Sequence, residues 1–447
     1  MDSILFWNQV ALDTTKGDFC WPEPPTPQSL PQQPGPTRTS RALAIVHLAM
    51  YDAFVGIRGG AATYLDYGDG ATPGTHTLPA AQAAVGAAAC LTLIALYSRQ
   101  KQALLAKHNQ FVAALPAGDA SVALGLAWGH RVATALLAER SHDGADASDD
   151  LYAPGPGAGR HRPDPYSPAQ GFLGPLWGDV KPFGFTDLRC ALTPLPNPLT
   201  LPEYATDFVQ VAAKGRKTGS TRTPDQTTMG LFWAYDGARC IGVPPRLYNQ
   251  AVRAIVQAKG NISEAQNAKL FAMVNAAMAD AGIQAWYEKY KHNLWRPVVG
   301  IREADAGWGP TGQGDGLAAT VGDPHWEPLG SPRTNSGGQE SFTPNFPAYP
   351  SGHATFGTAA LRVAQAELKL LDNFAFTLVS DEFNGESVGA TGVRPRHIRK
   401  LTLASAIEEN SLSRVYLGVH WLFDCRKGEQ LGREIAAKLV AAFPARA

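Results

Sequence analysis

The 447-residue chain is poor in cysteine and in charge of either sign. Its five cysteines lie far apart and form no CxxC pair, so we expect buried free thiols and neither a disulfide framework nor a zinc site. Charged residues make up 17% of the chain, with 39 basic side chains balancing 39 acidic ones. This composition argues against a nucleic-acid-binding surface, a disordered chain and a coiled coil. The cysteines are Cys20, Cys90, Cys190, Cys240 and Cys425.

Targeting segments and long apolar runs are also scarce. The first residues, MDSILFWNQVALDTTKGD, show no basic stretch followed by a long apolar run, so no secretory signal is predicted. Residues 80–98 are the most apolar stretch, but they are short and rich in alanine, which favours a buried core helix over a membrane span. We therefore expect a cytoplasmic protein that spans no membrane, and secretion by another route stays open. The neutral charge balance leaves a homo-oligomer open as well.

Strand signals are missing, because apolar residues recur at helical spacing and no run alternates convincingly. The sequence therefore predicts an all-α protein folded as one unit over residues 1–447. Thr39 or Ser40 is expected to cap the helix 39–57, and Ser263 with Gln266 forms a capping box before the longest helix. Further helices are expected at 80–114, 119–140, 225–235, 245–258, 351–372, 397–414 and 419–443. Two loop regions rich in Gly and Pro, 141–200 and about 305–350, are long enough to be functional.

The first stretch with chemical interest is WYEKYKHNLWRPV, residues 286–298. Lys289 and Arg296 are seven residues apart, almost two helical turns, so both cations are expected on one helix face near Trp286. Pro297 should end that helix directly after Arg296. Two aligned cations on an apolar helix favour a bound anion, although a lone pair of this kind is more often a pair of surface cations.

The second stretch, FPAYPSGHATFGTAA, places Ser351, Gly352 and His353 at a predicted helix start. Ser351 can cap the helix, and Gly352 allows a ligand to approach the backbone closely. The free N–H groups of a first turn attract an anion, which His353 could then protonate or deprotonate. A capped helix with a structural histidine is the alternative.

The third stretch, SLSRVYLGVHWLFDC, covers residues 411–425. Arg414 offers a planar fork for oxyanions. Gly418 is expected to break the helix so that His420 opens the next one, with Asp424 one turn further along the same face. The carboxylate could fix the imidazole tautomer and leave one ring nitrogen free as a ligand or nucleophile. The three stretches together predict a pocket for a tetrahedral oxyanion.

The motifs KxxxxxxRP (289–297), PSGH (350–353) and SRxxxxxHxxxD (413–424) resemble the signature of the type 2 phosphatidic acid phosphatase and vanadium haloperoxidase superfamily. The chain is most similar to fungal-type vanadium chloroperoxidases, and the resemblance covers most of it. This resemblance implies two four-helix bundles that share one core, with the active site in about 225–447. The distance from PSGH to SR is long for the superfamily, which predicts an inserted loop or helix near 373–396.

The resemblance also implies roles for the site residues. His420 would be the axial ligand of vanadium in a bound vanadate, and His353 the acid–base group for hydrogen peroxide. Lys289 would hold vanadate and polarise the peroxide. The remaining vanadate-binding groups would be Arg296, Ser351, Gly352 and Arg414.

The aromatic pair Trp286 and Phe346 would line the halide side, where algal bromoperoxidases tend to carry a histidine in place of Phe346. Asp236 would pair with Arg414, and Asp424 would support His420. His292 departs from the chloroperoxidase pattern, and it lies either at the pocket rim or on a solvated helix face.

The expected activity is vanadate-dependent oxidation of a halide by hydrogen peroxide to hypohalous acid. The alternative is an acid phosphatase of the same superfamily, because phosphate can occupy the same site and His420 could form a phosphohistidine. The pair Trp286 and Phe346 speaks against it, since two rings would crowd a phosphomonoester. A non-catalytic anion-binding protein is a third interpretation, and it gives His353 no role. The preferred halide and the organic acceptor are not predicted.

Overall fold

The computed structural model describes residues 1–22, 26–68, 76–198, 202–337 and 341–445. Within these ranges the chain is mostly helical, which confirms the all-α prediction. The α-helices are α1 Ser3–Asp18, α2 Gly35–Arg58, α3 Leu78–Leu96, α4 Lys101–Ala113, α5 Ala120–Glu139, α6 Leu188–Ala191, α7 Tyr204–Lys214, α8 Pro224–Phe232, α9 Pro244–Lys259, α10 Glu264–His292, α11 Pro297–Gly300, α12 Gly352–Glu367, α13 Leu403–Tyr416 and α14 Leu422–Ala442.

Helix α10 lies at the centre of the helical packing. It contacts α2 on one side and α12 on the other; α2 also packs on α3, α3 on α5, and α12 on α14. One continuous apolar core runs through these helices, from Trp7 in α1 to Leu439 in α14. Ser263 and Gln266 form the expected capping box at the start of α10. The long helix therefore carries the site residues at its C-terminal end on a rigid support.

Several predicted helix bounds are wrong. The N-cap of α2 is Pro34, so Thr39 and Ser40 are buried inside the helix. The predicted helix 80–114 is two helices, because the chain turns at Tyr97–Gln100 between α3 and α4. The first turn of α1 begins at Ser3, capped by the Asp2 side chain, and no helix was predicted there.

The region expected to hold an inserted loop or helix contains strands instead. Strand β1 Ala375–Val379 pairs antiparallel with β4 Ile398–Thr402, and β2 Val388–Gly389 pairs with β3 Gly392–Val393. Phe376 and Leu378 are the buried residues of β1, an alternation too short to stand out in the sequence. The predicted start of a helix at 397 is therefore wrong, since β4 comes first.

The cysteine prediction is partly wrong as well. Cys90 and Cys425 are buried free thiols as expected, but Cys190 is exposed and Cys20 forms a disulfide with Cys240. These two residues are 220 positions apart, and the fold brings the end of α1 next to the loop after α8. Disulfides persist mainly in oxidising compartments. The cellular location stays a prediction.

Three of the described helices, α2, α3 and α5, are long and apolar enough to cross a membrane by length and composition. Their most apolar windows are 94%, 67% and 33% buried in the fold. Helix α3 packs between α2 and α5, so residues 80–98 contribute a core helix as expected.

Candidate active site

The three motif stretches meet at one buried place in the fold. Lys289 lies in the last turn of α10, Ser351 caps α12, and Arg414 lies in the last turn of α13. Arg296 precedes α11, and His420 precedes α14. All five side chains are fully buried, so their charges act on one another in a low-dielectric environment.

Lys289 and Arg296 do not share a helix face, contrary to the prediction. Helix α10 ends at His292, because Asn293 takes the left-handed conformation (φ 54°) and its N–H bonds to the Lys289 carbonyl. Pro297 then begins α11, where a missing N–H is tolerated. Arg296 reaches the site because the chain between these helices turns back toward the PSGH loop.

Lys289 is held by the loop before α12. Its Nζ donates to the carbonyl oxygens of Pro347, Ala348 and Pro350 at 2.8, 3.0 and 2.6 Å. Burial, and next the charge of Arg296, lowers the pKa of Lys289 well below its ordinary value. An anion bound nearby would favour the charged ammonium, so the lysine and an oxyanion would stabilise each other.

The two arginines retain unused donors. Arg296 donates from Nε to the Phe346 carbonyl at 2.8 Å, and its Nη1 lies 2.9 Å from His420 Nε2. Arg414 makes a bidentate ion pair with Asp236 at 3.0 and 2.9 Å, as expected. Yet Arg296 Nη2 and Arg414 Nε are buried without a hydrogen-bond partner in the described chain. Buried donors of this kind call for an acceptor, and an oxyanion supplies several.

His420 and Asp424 form the expected pair. His420 Nδ1 lies 3.0 Å from Asp424 Oδ2, which also accepts the Trp421 N–H at 3.1 Å. Helix α14 begins at Leu422 with Trp421 as its N-cap, so His420 lies just before the helix, where Gly418 (φ 72°) has reversed the chain. Burial, then Arg296 and Lys289, lowers the pKa of His420 well below its usual value. The imidazole is therefore neutral, with Nε2 facing the arginine as an acceptor or ligand.

His353 lies in the first turn of α12, facing the same space. Its Nε2 lies 2.6 Å from the Ala234 carbonyl and 3.9 Å from Asp236 Oδ1. Burial, reinforced by Arg414 and opposed by Asp236, lowers the pKa of His353 to about 3. Because Nε2 donates to a carbonyl, Nδ1 of the neutral ring is free to accept a proton.

The need for glycine at position 352 has a second explanation besides close approach of a ligand to the backbone. A Cβ at this position would lie 3.1 Å from the Trp286 ring, closer than ordinary van der Waals contact. Trp286 packs against Phe346 with ring centroids 4.6 Å apart. Both rings line a cavity of about 240 Å³ that also reaches His353, Arg414 and His420.

His292 fits neither of its two predicted places. Its Nε2 lies 3.0 Å from Glu288 Oε2 and its side chain is 10% exposed. The ring packs edge-on against Tyr349 at 5.2 Å, and it is not part of the cavity wall. We interpret His292 as a packing residue of the α10 C-terminus.

Two further residues position His353 and were not predicted. Tyr248 Oη lies 2.9 Å from the His353 carbonyl oxygen and 2.7 Å from Asn410 Oδ1, and its one proton can be donated to either. Asn410 Nδ2 donates to the His353 carbonyl at 2.9 Å. Asn410 stands four residues before Arg414 on α13, one turn away on the same face, and this spacing is the signal the sequence offered.

We expect Asp236→Ala to destabilise the folded protein by about 3–5 kcal/mol, because the buried Arg414 loses its bidentate partner. Urea denaturation of wild type and variant measures the difference in the free energy of unfolding. Asp236→Ala/Arg414→Met should recover part of the loss, since no unpaired charge remains buried. A cost below about 1 kcal/mol, the range of exposed ion pairs, would contradict this account of the pair.

Comparison with known proteins agrees with this geometry. One family model, described as the vanadium chloroperoxidase N-terminal domain, matches residues 1–172, and another, described as the VCPO second helical-bundle domain, matches residues 269–445. Vanadium chloroperoxidase of Curvularia inaequalis is 30% identical over 504 residues, which cover 94% of this chain and 78% of that protein.

Solved structures show the same fold. A bacterial vanadium-dependent iodoperoxidase superposes with a TM-score of 0.72 at 20% identity, covering 98% of this chain and 95% of the other. A holo-type bacterial vanadium-dependent chloroperoxidase superposes with a TM-score of 0.64 at 16% identity, covering 91% and 93% of the two chains. The matched domains, the identity to the Curvularia protein over most of both chains and the converging motif residues show that this chain belongs to the vanadium chloroperoxidase family.

Proposed function

We propose that this protein binds vanadate at the site formed by its three motifs and oxidises a halide with hydrogen peroxide to hypohalous acid. Haloperoxidase chemistry with vanadate as the cofactor follows from the family. The observation in this chain that supports it is the pair of buried, unpartnered donors Arg296 Nη2 and Arg414 Nε. Two positively charged forks with free N–H groups fit a tetrahedral oxyanion.

Vanadate suits the rest of the donor set as well. His420 offers a neutral Nε2 whose tautomer Asp424 fixes, while Lys289, Arg296 and Arg414 would balance the negative charge of the oxygens. Ser351 and the N–H of Gly352 stand at the N-terminus of α12, where the helix dipole favours an anion. When bound, vanadate supplies a Lewis-acid centre that activates hydrogen peroxide toward attack by a halide.

The chain itself contributes proton transfer and fixed positive charge. Neutral His353 can take a proton from hydrogen peroxide at Nδ1, because its Nε2 is occupied by the Ala234 carbonyl. Three backbone carbonyls fix the Lys289 ammonium, so in the free protein it would act on a neighbouring oxygen through its charge, and a hydrogen bond to that oxygen would replace one of the three. Asp236 keeps Arg414 in place through Nη1 and Nη2 and leaves the Nε–H free to donate.

We assign the halide to the aromatic end of the cavity, beside Trp286 and Phe346. The Phe346 ring lies 5.1 Å from Lys289 Nζ and 4.9 Å from the Arg296 guanidinium carbon, so a halide there would be close to both cations. The rings of Trp286 and Phe356 also line the cavity and reduce the access of water to this place. The attraction between a halide and the charges of Lys289 and Arg296 is stronger where water is excluded. The preferred halide is settled by assaying chloride, bromide and iodide in turn.

We expect Phe346→Ala to weaken vanadate binding about 5- to 30-fold, because two buried cation–π contacts are lost. Isothermal titration of the metal-free protein with vanadate measures the affinity. Phe342→Ala is the matched control, since this ring lines the same cavity but lies over Arg333, 4.5 Å from its guanidinium carbon. Equal losses in the two variants would contradict a specific contribution of Phe346 to the anion site.

Acid phosphatase activity is the second candidate function, and the same residues could serve it. His420 Nε2 could attack phosphorus, with His353 protonating the leaving oxygen. The family to which the chain belongs, matched over most of its length, favours the first function over this one. We therefore favour the haloperoxidase.

One experiment separates the two functions. The purified protein is loaded with vanadate and given hydrogen peroxide with chloride, bromide or iodide, and halogenation of a dione is followed by absorbance. The metal-free protein is tested in parallel on a nitrophenyl phosphate. Halogenation that depends on vanadate supports the proposal, whereas phosphatase turnover without oxidation of any halide would refute it.

A further inference from the structure

The cavity beside the oxyanion site has two unlike ends. At the inner end stand Asp236, His353, Arg414 and His420. The remainder is apolar, since twelve of the twenty residues that line the cavity are Phe, Trp, Leu, Val or Pro. A volume of about 240 Å³ accommodates a small aromatic molecule. Oxidation of a halide alone needs no apolar space of this size.

Four residues close the outer side of this space, and we call them the outer wall: Phe19, Trp21, Pro31 and Pro36. Phe19 and Trp21 follow α1, Pro31 lies in the chain that leads into α2, and Pro36 lies in the first turn of α2. The Phe19 and Trp21 rings lie 6.0 Å apart. Phe19 is buried, whereas Trp21 is half-buried, so the wall stands between the cavity and the solvent.

The outer wall is fastened to the loop 233–243 by covalent and hydrogen bonds. Cys20, between the two aromatic residues, forms the disulfide with Cys240. The Cys240 N–H donates to the Phe19 carbonyl at 2.9 Å, and Arg239 Nε donates to the Trp21 carbonyl at 2.6 Å. These contacts fix both rings relative to one short loop.

That same loop organises the inner end of the cavity. Ala234 supplies the carbonyl that accepts from His353, and Asp236 supplies the carboxylate that pairs with Arg414. The disulfide therefore links the outer wall to the residues that orient the acid–base group. A ligand resting on Phe19 and Trp21 would face the reacting centre at a defined position.

We propose that the outer wall is a specificity-determining surface that holds a neutral aromatic acceptor inside the cavity, and that the Cys20–Cys240 disulfide positions it. The inference rests on the proposed haloperoxidase function and adds the class of organic substrate to it. The cavity carries no charged side chain beyond its inner end, so a charged acceptor would lose hydration without compensation.

The chemistry of such a bound acceptor balances without a further reagent. Halide, hydrogen peroxide and a proton give hypohalous acid and water. A ring carbon of the acceptor then attacks the halogen, so a carbon–halogen bond forms as the oxygen–halogen bond breaks. The ring carbon loses its proton, which combines with the departing hydroxide to form water.

The disulfide is compatible with this reaction because hydrogen peroxide maintains it. Two thiols and one hydrogen peroxide give a disulfide and two waters, and Cys20 is exposed to solvent. Because Cys20 is exposed, a dithiol reductant can also reach the disulfide and reduce it. The outer wall is therefore fixed whenever the peroxide substrate is present.

Binding of 2-naphthol, a neutral fluorescent aromatic probe, tests the proposal directly. We expect Trp21→Ala and the double variant Cys20→Ser/Cys240→Ser each to raise its Kd about 5- to 30-fold. Reduction of the wild-type protein with dithiothreitol should have the same effect. Trp308→Ala and Cys190→Ser are the matched controls, because both residues are exposed and lie outside the cavity wall. If the double variant does not fold, the Kd values of Trp21→Ala and of the reduced wild-type protein still test the proposal. Unchanged affinity in both would overturn the proposal.

A competition assay tests whether the bound acceptor is the one halogenated. The vanadate-loaded enzyme is given 2-naphthol together with a sulfonated naphthol, and the product ratio is compared with that of reagent hypohalite. A ratio shifted toward the neutral naphthol in wild type, and returned to the reagent value in Trp21→Ala, supports the proposal. A wild-type ratio equal to that of the reagent would overturn it while leaving halide oxidation intact. Absence of halide oxidation with every halide would overturn the proposed function itself.

Discussion

Vanadate affinity is expected to fall by at least about 100-fold when His420 is replaced by alanine, because a ligand contributes more than the 10- to 100-fold of a group behind it. The imidazole is the neutral nitrogen donor of the site, and Asp424 fixes its tautomer at 3.0 Å. Its Nε2 lies 2.9 Å from Arg296 Nη1, the guanidinium that would also hold the oxyanion. Isothermal titration of the metal-free variant with vanadate measures the loss, and circular dichroism verifies the fold.

Two further variants serve as comparisons for His420→Ala. Asp424→Asn should weaken vanadate binding about 10- to 100-fold, since the ring keeps its place but loses the carboxylate behind Nδ1. His292→Ala should leave the affinity close to that of wild type, because this histidine packs against Tyr349 outside the cavity. If His420→Ala still bound vanadate as tightly as His292→Ala, His420 could not be the ligand.

The residue composition of the site could be predicted from the sequence, but its geometry could not. Lys289, Arg296, Ser351, His353, Arg414 and His420 come together as the motifs imply. The derivation that placed Lys289 and Arg296 on one helix face is wrong, because Asn293 ends α10 between them. A single residue in the left-handed conformation changes the path of the chain, and helical periodicity does not reveal it.

The positions around the site were the hardest to predict. The Ala234 carbonyl holds His353, yet a backbone acceptor leaves no mark on the sequence. Cys20 and Cys240 are 220 residues apart, and spacing alone gives no reason to pair them. The short strands β1 and β4 are also hidden, since five residues with few buried side chains give a weak alternation. Such features depend on tertiary contacts between distant segments.

Asp236 is an example of a residue for which one feature was predicted from the sequence and another was not. Its pairing with Arg414 was expected, whereas its place on the loop joined to α1 by a disulfide was not. Burial acts to raise the pKa of this carboxyl, but Arg414 and then His353 outweigh burial and lower it. The ionised Asp236 therefore lies between the arginine that would hold the oxyanion and the histidine that would transfer the proton.

Replacing His353 with alanine should lower kcat for halide oxidation about 10²- to 10⁴-fold, the contribution of one positioned acid–base group, and leave vanadate affinity within roughly tenfold. His353 stands beside the site but donates its Nε2–H to the Ala234 carbonyl, so it is not required as a vanadium ligand. With a pKa lowered to about 3, the ring of the free protein is neutral near neutral pH, and a bound oxyanion would raise this pKa toward the range of a general base. Steady-state kinetics at saturating peroxide, with vanadate titration in parallel, measure both quantities.

Added imidazole provides the decisive control for this assignment. In His353→Ala the missing ring leaves space next to Arg414 and Asp236, and a diffusible base there should restore part of the lost kcat. His420→Ala has lost a ligand instead, so imidazole should restore vanadate binding there before it restores turnover. Tyr248→Phe removes one of the two groups that can donate to the His353 carbonyl and should reduce kcat by a smaller factor. Full activity in His353→Ala, or a loss of vanadate binding as large as in His420→Ala, would show that His353 is not the proton-transfer group.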